Sequence, residues 1–395
     1  MSDRRLDDWI SAFMKYTENS QPPNSFKKWV AISTVAACLQ RKCYLEWEGM
    51  LYPNMYIVLV GPSGCGKGTA MRPAERFLRE LGIKLSPEAV TREQLIRRLR
   101  KAGAQDITPD SNSITMHASL TVFSAELAVF LSRDNTQLMS DLTDWYDCRD
   151  VWKYETKHEG NDHITNVWVN LIGATTPDLL ESTLPQNAIG GGLTSRIIFV
   201  YEEKMGKKVI FPFETEEEAE LEGELFHDLE AIRMLQGRFI PDESFLERWA
   251  DWYGGDPRCV LERDPRFNGY LSRRATHVLK LSMIMNASRG GGMTLTSEDF
   301  DRSLRELEKV ERKMMYAFSG VGKSDISATT RAVMTTIIES GSISFNEVLG
   351  IHYNDVDYDT LNRIWAVLLS IEKEGKRIFV SEDPLKKVIR YVGGI

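Results

Sequence analysis

The chain contains no uninterrupted run of ~18 apolar residues, the length a membrane-spanning helix requires. Its start, Met1-Ser2-Asp3-Arg4-Arg5, leads into an amphipathic helical pattern and offers no apolar core of a signal peptide. We therefore expect no membrane partner. Only five cysteines are present, Cys38, Cys43, Cys65, Cys148 and Cys259, and none forms a C-x2-C pair. That scatter argues against a disulfide framework or a zinc site and makes a reducing cytoplasm the expected compartment. With a formal net charge of −8, the chain has no excess of cations to coat nucleic acid over its whole surface. A local basic channel remains open to it, since a ring needs positive charge only on the face lining its pore. Internal repeats and low-complexity tracts are also missing. What is left, 395 residues of which 42% are hydrophobic, suffices for more than one domain, each with its own core.

The most informative stretch present is the apolar run Met55 to Val60 followed by Gly61-Pro62-Ser63-Gly64-Cys65-Gly66-Lys67-Gly68-Thr69. It reads as a buried strand, a glycine-rich loop and a helix starting near Gly66. Phosphate chemistry needs this layout: loop amides and the positive helix end converge on an oxyanion, and glycines let the backbone approach closely. Lys67 adds a charge beside the outer phosphates. All nine loop residues are thus candidates for holding a nucleotide, with ATP and Mg²⁺ as the expected ligands. One departure stands out. The hydroxyl residue that usually follows the lysine and holds magnesium is here Gly68, with Thr69 next. The Gly-Lys-Gly-Thr ending is similar to adenylate-kinase-type loops and to those of certain phage ATPases. Magnesium would then be held largely through water and an acidic residue, because it gives up its hydration reluctantly.

Four segments follow from the pattern of the whole chain. Residues 1–45 read as helices, and 46–213 as an α/β core. Its strands are expected at Val58 to Gly61, Ser119 to Glu126, Val167 to Ala174 and Ile197 to Tyr201. Helices at about 67–81 and 91–102 separate them, so a parallel sheet covered on both faces is expected, with ligands beyond the carboxyl ends of its strands. Residues 214–318 are helical in pattern, including Tyr270 to Ala287 and a capped helix after Thr296. The acidic run Glu214 to Glu224 reads as a boundary and a solvated face. After a linker at 319–324, residues 325–395 suggest a winged helix, with helices near 327–339, 344–350 and 358–374. Two β-type runs follow, Arg377 to Val380 and Val388 to Val392.

Triphosphate hydrolysis needs an acidic group for magnesium and the attacking water, and a group that senses the outer phosphate. Glu126, ending the second core strand, is the candidate for polarising water and for holding magnesium, directly or through a water. The residue before it, where a magnesium-holding Asp is expected, is Ala125, and Ser124 could substitute through a bound water. Asp141, Asp144 and Asp147 fall in a stretch that reads as a helix and lack the strand-end placement. Thr175 and Thr176 follow the third core strand, where a hydroxyl can reach the lytic water or outer phosphate. Arg196 follows the loop Gly190-Gly191-Gly192, which could deliver it to a neighbouring subunit's nucleotide. An ordinary salt bridge is the alternative. Between the second and third core strands, Val151 to Thr156 and His163 to Val167 flank a polar turn and read as a projecting β-hairpin. Its Lys153, Lys157 and His158 are candidates for tracking a DNA backbone.

This order of phosphate loop, strand-end Glu, hairpin, Gly-Ala-Thr-Thr strand and Ser-Arg before a strand resembles the AAA+ branch of P-loop ATPases. Leu51-Tyr52-Pro53-Asn54 running into the loop, Ser124 to Leu127, and Gly191 to Phe199 are similar to a phage and prophage family of primase/helicase ATPases. The resemblance covers roughly residues 25–320. It implies a homo-hexameric, ATP-driven motor on DNA, with Glu126 as the second acidic residue, Thr175 or Thr176 as the phosphate sensor and Arg196 as an arginine finger. Residues 214–318 would be a helical lid whose Tyr270-Leu271-Ser272-Arg273-Arg274 carries a second sensor, Arg273 or Arg274. Family members usually carry Asp-Glu where this chain has Ala125-Glu126, and no primase zinc motif is apparent, so only the helicase half is expected. Two other readings stay open. One is a replication initiator or regulator that uses nucleotide as an assembly switch. The other is a nucleotide kinase, suggested by Gly-Lys-Gly-Thr alone.

Overall fold

Tyr56–Val60 carries five apolar residues in a row, and every one is buried, as a strand in the middle of a two-sided sheet requires. Val167–Thr175 is likewise buried along its whole length. In the computed structural model these two strands lie side by side in a five-stranded sheet. The order across it is Gly103–Thr108, Ser113–Ser124, Val167–Thr175, Tyr56–Val60, Ile197–Tyr201. The model describes residues 4–108, 113–132, 135–156, 160–184, 190–211, 216–255, 258–318, 325–353, 356–373, 376–383 and 386–392. The chain divides into two compact units, 1–320 and 321–395, taken separately below.

Four of the five strands are parallel, so the architecture is α/β, as expected. The sheet is nevertheless mixed. Gly103–Thr108 pairs antiparallel to Ser113–Ser124, which begins six residues before the expected Ser119. Gly-Ala-Gln-Asp-Ile-Thr has none of the β-branched alternation that marks a strand in sequence, and only its place at the sheet edge makes it tolerable. Register aligns the carboxyl ends: Val60 lies opposite both Thr175 and Tyr201, and Ser124 opposite Gly173. The loops after all four parallel strands therefore leave from one edge of the sheet.

Helix Asn24–Leu39 is buried from Phe26 through Leu39 except at Lys28, so its apolar residues follow no helical stripe. It packs against Lys67–Glu80, the helix that follows the glycine-rich loop. The expected helix over Tyr270 to Ala287 is instead two, Asn268–Leu271 and Arg274–Ser288, interrupted at Ser272 and Arg273. Arg274–Ser288 packs along Ser297–Met314, whose start is fixed by a capping box between Thr296 and Asp299. The acidic run enters helix Glu216–Arg233, where Glu217 pairs with Lys15 and Glu222 with Arg76. A smaller sheet joins Cys43–Glu46, Met50–Leu51, Gly237–Pro241 and Thr294–Leu295. No helix among the described residues is long and apolar enough to cross a membrane.

The second unit packs helices Asp325–Ser340, Phe345–Ile351 and Tyr358–Ser370 around a core that includes Val333, Phe345, Leu361, Trp365 and Phe379. Its three-stranded antiparallel sheet has the order Ser342–Ser344, Val388–Tyr391, Phe379–Asp383. The last helix stops at Ser370, not 374, because Glu372–Lys373 turns back to pair with Lys376–Arg377. The expected linker at 319–324 lies outside the described residues.

Candidate functional site

The loop Gly61 to Gly66 is built from backbone that only glycine accepts easily. Gly64 and Gly66 have φ of 79° and 84°, in the left-handed region. At Gly61 crowding matters more, since a Cβ there would lie 2.4 Å from the Glu202 carbonyl oxygen. Cys65 is the loop's buried anchor, its thiol 3.4 Å from that same carbonyl. Helix Lys67–Glu80 then starts from Gly66 with no side-chain cap. The amides of Lys67, Gly68 and Thr69 have no carbonyl one turn back within the helix and are available to an anion. Lys67 folds over the loop, donating from Nζ to the Gly61 and Pro62 carbonyls at 2.6 and 2.8 Å. Burial pushes its pKa below the usual lysine value, opposed by Cys65 and Glu126. Thr69 is exposed, and a Cβ on Gly68 would meet nothing within 4 Å.

The next two strand ends arrive beside this loop. The Gly61 amide donates to the Thr175 carbonyl at 3.3 Å, which sets Thr175 against the loop's first residue. Thr176 points its hydroxyl elsewhere: it accepts from the Leu179 amide and caps helix Pro177–Thr183. Of the two threonines, Thr175 is thus the one with a hydroxyl to spare, its contact to the Thr176 carbonyl being long at 3.4 Å. Glu126 is exposed at the start of helix Leu127–Leu131 and close enough to Lys67 to act on its charge. Ala125 is half-buried. Ser124 is fully buried, and its Oγ has no hydrogen-bond partner, an orphaned polar atom at the end of the strand. Among the described residues no group of three or more acidic, His or Cys side chains is arranged to hold a metal ion.

Arg196 lies at the other edge of the sheet, just before Ile197, whose partner Tyr56 begins the central strand. It is buried, donates to the Gly192 carbonyl at 2.6 Å, and is paired with Asp147. Arg273 reaches the same carboxylate at 3.7 Å. Burial and the neighbouring Arg196 lower its pKa. Asp147 is 39% exposed, so this cluster opens to solvent. Arg274 is turned into the helices, paired with buried Glu311 at 2.7 Å and stacked on Trp252. The two sensor candidates, Arg273 and Arg274, thus have different partners, Asp147 and Glu311. The break between the two helices sends Arg273 to Arg196 and Arg274 to Glu311. Asp141 and Asp144 also have arginine partners, Arg92 and Arg149.

The expected hairpin is present as Val151–Thr156 paired antiparallel with Gly160–Thr165. It leaves the sheet at the amino end of Val167–Thr175. Trp152 anchors it, edge-on to Trp145 and stacked on Tyr154, over which Arg92 lies at 4.7 Å. Lys153 is exposed. Lys157 and His158 lie outside the described residues.

No family model and no curated protein matches the chain.

Several residues of the site carry no signal in sequence. Glu202 follows the last core strand, donates its amide to the Val60 carbonyl, and receives Ser25 and Lys313 on its carboxylate, each at 2.7 Å. With Pro23, Tyr201, Met205 and Tyr316 it lines a cavity of about 750 Å³. That cavity adjoins the loop, for a Cβ on Gly66 would touch Met205 and Pro22. Arg41 is buried and gathers the Cys148 and Val167 carbonyls with Asp150 at the hairpin's base. Lys280 is buried beneath Tyr146, donating to Asn54, and burial pushes its pKa down to about 8.

Proposed function

We propose that the chain is an ATP-dependent DNA helicase or translocase that hydrolyses ATP between subunits of a ring. The observation that carries this reading is the opposition of two clusters. The glycine-rich loop, Thr175 and Glu126 share the carboxyl edge of the sheet, whereas Arg196 and Arg273 share the other edge. A charge that must meet the outer phosphate from the far edge has to come from another copy, which is how a ring divides the work. The loop amides and Lys67 would cradle the phosphates, and the cavity beside Tyr201 and Met205 would take base and sugar. Glu126 would orient the attacking water, and Thr175 would sense the outer phosphate.

Magnesium fits this site with few protein ligands. Thr69 has an exposed hydroxyl and Ser124 an orphaned one, and Glu126 could act through water, in keeping with an ion that retains most of its hydration. The ion would supply charge neutralisation between the outer phosphates. Lys153 of the hairpin, with Lys157 and His158, would follow the DNA strand. We read the helices and antiparallel sheet between residues 325 and 392 as a winged helix, which would hold duplex or a partner protein.

Ala125 favours a second reading, a replication initiator that binds nucleotide as an assembly switch and turns it over slowly or not at all. Measuring ATP turnover with and without single-stranded DNA separates these. Stimulation is the expected result. Tight binding without turnover would replace the motor with the switch, and turnover that depends on a phosphate acceptor would make the chain a kinase.

A further inference from the structure

A second charged feature lies away from both clusters. Between residues 79–85 and helix Arg92–Lys101 runs a groove of about 640 Å³ lined by Arg79, Lys84, Arg97, Arg98 and Lys101. Leu95, Ile96 and Leu99 are buried and fix the helix by its inner face. Gln94, Arg97, Arg98 and Lys101 fall at i, i+3, i+4 and i+7, one outward stripe with neighbours about 5–6 Å apart. Lys84 and Arg79 form the opposite wall. Lys84, Arg98 and Lys101 are exposed, and Arg79 is paired with Glu75. No acidic side chain is among the described residues lining the groove. In a chain of net charge −8, such a local excess of cations suits a polyanionic partner.

The lining also decides which polyanion. Sites for single strands combine charge with aromatic platforms on which bases stack, and backbone-only binding is the mode used on duplex. The described lining of this groove contains no aromatic residue. We propose that the groove between residues 79–85 and helix Arg92–Lys101 binds the phosphate backbone of double-stranded DNA without reading its sequence. It shares with the proposed function only the class of partner and does not depend on ATP hydrolysis.

The test is duplex binding by the full chain across a salt series. Arg98→Glu/Lys101→Glu should weaken binding about tenfold near 0.1 M salt and make the log–log salt slope shallower by about two, one for each lost phosphate contact. Lys84→Gln, on the opposite wall and outside the helix, should lower the slope by about one and guards against a helix that fails to fold. Reversing two exposed lysines elsewhere, Lys207→Glu/Lys208→Glu, should cost clearly less. Unchanged affinity and slope in the groove variants, an equal loss in the Lys207/Lys208 control, or preference of the wild type for single strands over duplex would overturn the proposal. Groove-dependent duplex binding without any ATP turnover would leave the groove standing and remove the motor. DNA-stimulated turnover with groove-independent duplex binding would do the reverse.

Discussion

Arg196 holds the carboxylate of Asp147 from both Nε and Nη2, at the edge of the sheet opposite the glycine-rich loop. Arg273 adds a second cation to the same carboxylate, so in the free subunit one negative charge holds both guanidiniums and the cluster keeps a net positive charge. If they serve a neighbour, Arg196→Ala and Lys67→Ala proteins, each inactive alone, should recover part of the turnover when mixed, because each spoils a different half of a shared site. Failure at every mixing ratio, with co-assembly demonstrated, would remove action in trans.

The Lys67 ammonium sits on the Gly61 and Pro62 carbonyls, poised to exchange them for phosphate oxygens. Lys67→Ala should lower ATP turnover by about a hundredfold or more and weaken nucleotide binding. Glu126→Gln should lower turnover by about 10²–10³ with nucleotide still bound, since the amide cannot polarise water. Equal loss of affinity in the two variants, measured by calorimetry, would contradict this division.

Neighbouring arginines should separate into a functional and a structural one. Glu311→Ala leaves buried Arg274 with only its longer contact to Glu308 and should destabilise the first unit by about 3 kcal/mol in urea unfolding. Arg273→Ala removes a side chain that is one-third exposed and should change stability by less than about 1 kcal/mol while lowering turnover in the assembled protein.

On the hairpin, alanine at Lys153, Lys157 and His158 together should reduce DNA-stimulated turnover and unwinding while basal turnover survives, because strands Val151–Thr156 and Gly160–Thr165 leave the sheet at the end away from the loop. Full unwinding by this variant would show that the hairpin is not on the DNA path.

How much of this could be read in advance depends on the range of the forces involved. The glycine-rich loop, its flanking strand and the hairpin are written locally, in runs such as Tyr56–Val60 and in turn residues, and the sequence pattern locates them. Thr175 and Thr176 look equivalent in sequence. Only the Gly61 amide and the Leu179 amide, which come from different directions, tell their roles apart. Arg273 and Arg274 are adjacent, and a two-residue break in a helix sends them to different partners. Arg41, Lys280 and Glu202 act through contacts more than 100 residues away, which leave no periodic trace. The edge strand Gly103–Thr108 is set by its neighbour's pairing, not by its own composition.

His277 gives the fold a sensitivity to acid. It is fully buried, with its ring nitrogens near the Tyr146 hydroxyl and the Ser195 carbonyl, and burial, with Lys280 nearby, lowers its pKa from 6.5 to about 3. A histidine kept neutral by the fold stabilises it above pH 6.5, and that contribution is lost as pH falls from there toward 3. Urea midpoints measured between pH 7 and 4 should therefore fall more steeply for the wild type than for His277→Gln. Parallel slopes would show that the ring's protonation plays no part.

Glu202 is gripped by Ser25 from near the start of the chain and by Lys313 from near the end of the first unit. A ribosome must release residue 313 before the surroundings of a loop finished at residue 69 can close. Until then the nascent chain exposes the apolar helix Asn24–Leu39 and strand Tyr56–Val60 without the helices that shield them. Such late closure makes the newborn protein a natural client for chaperones. It also means that fragments ending before Lys313 should be expected to aggregate, even though they contain every residue assigned here to the phosphates.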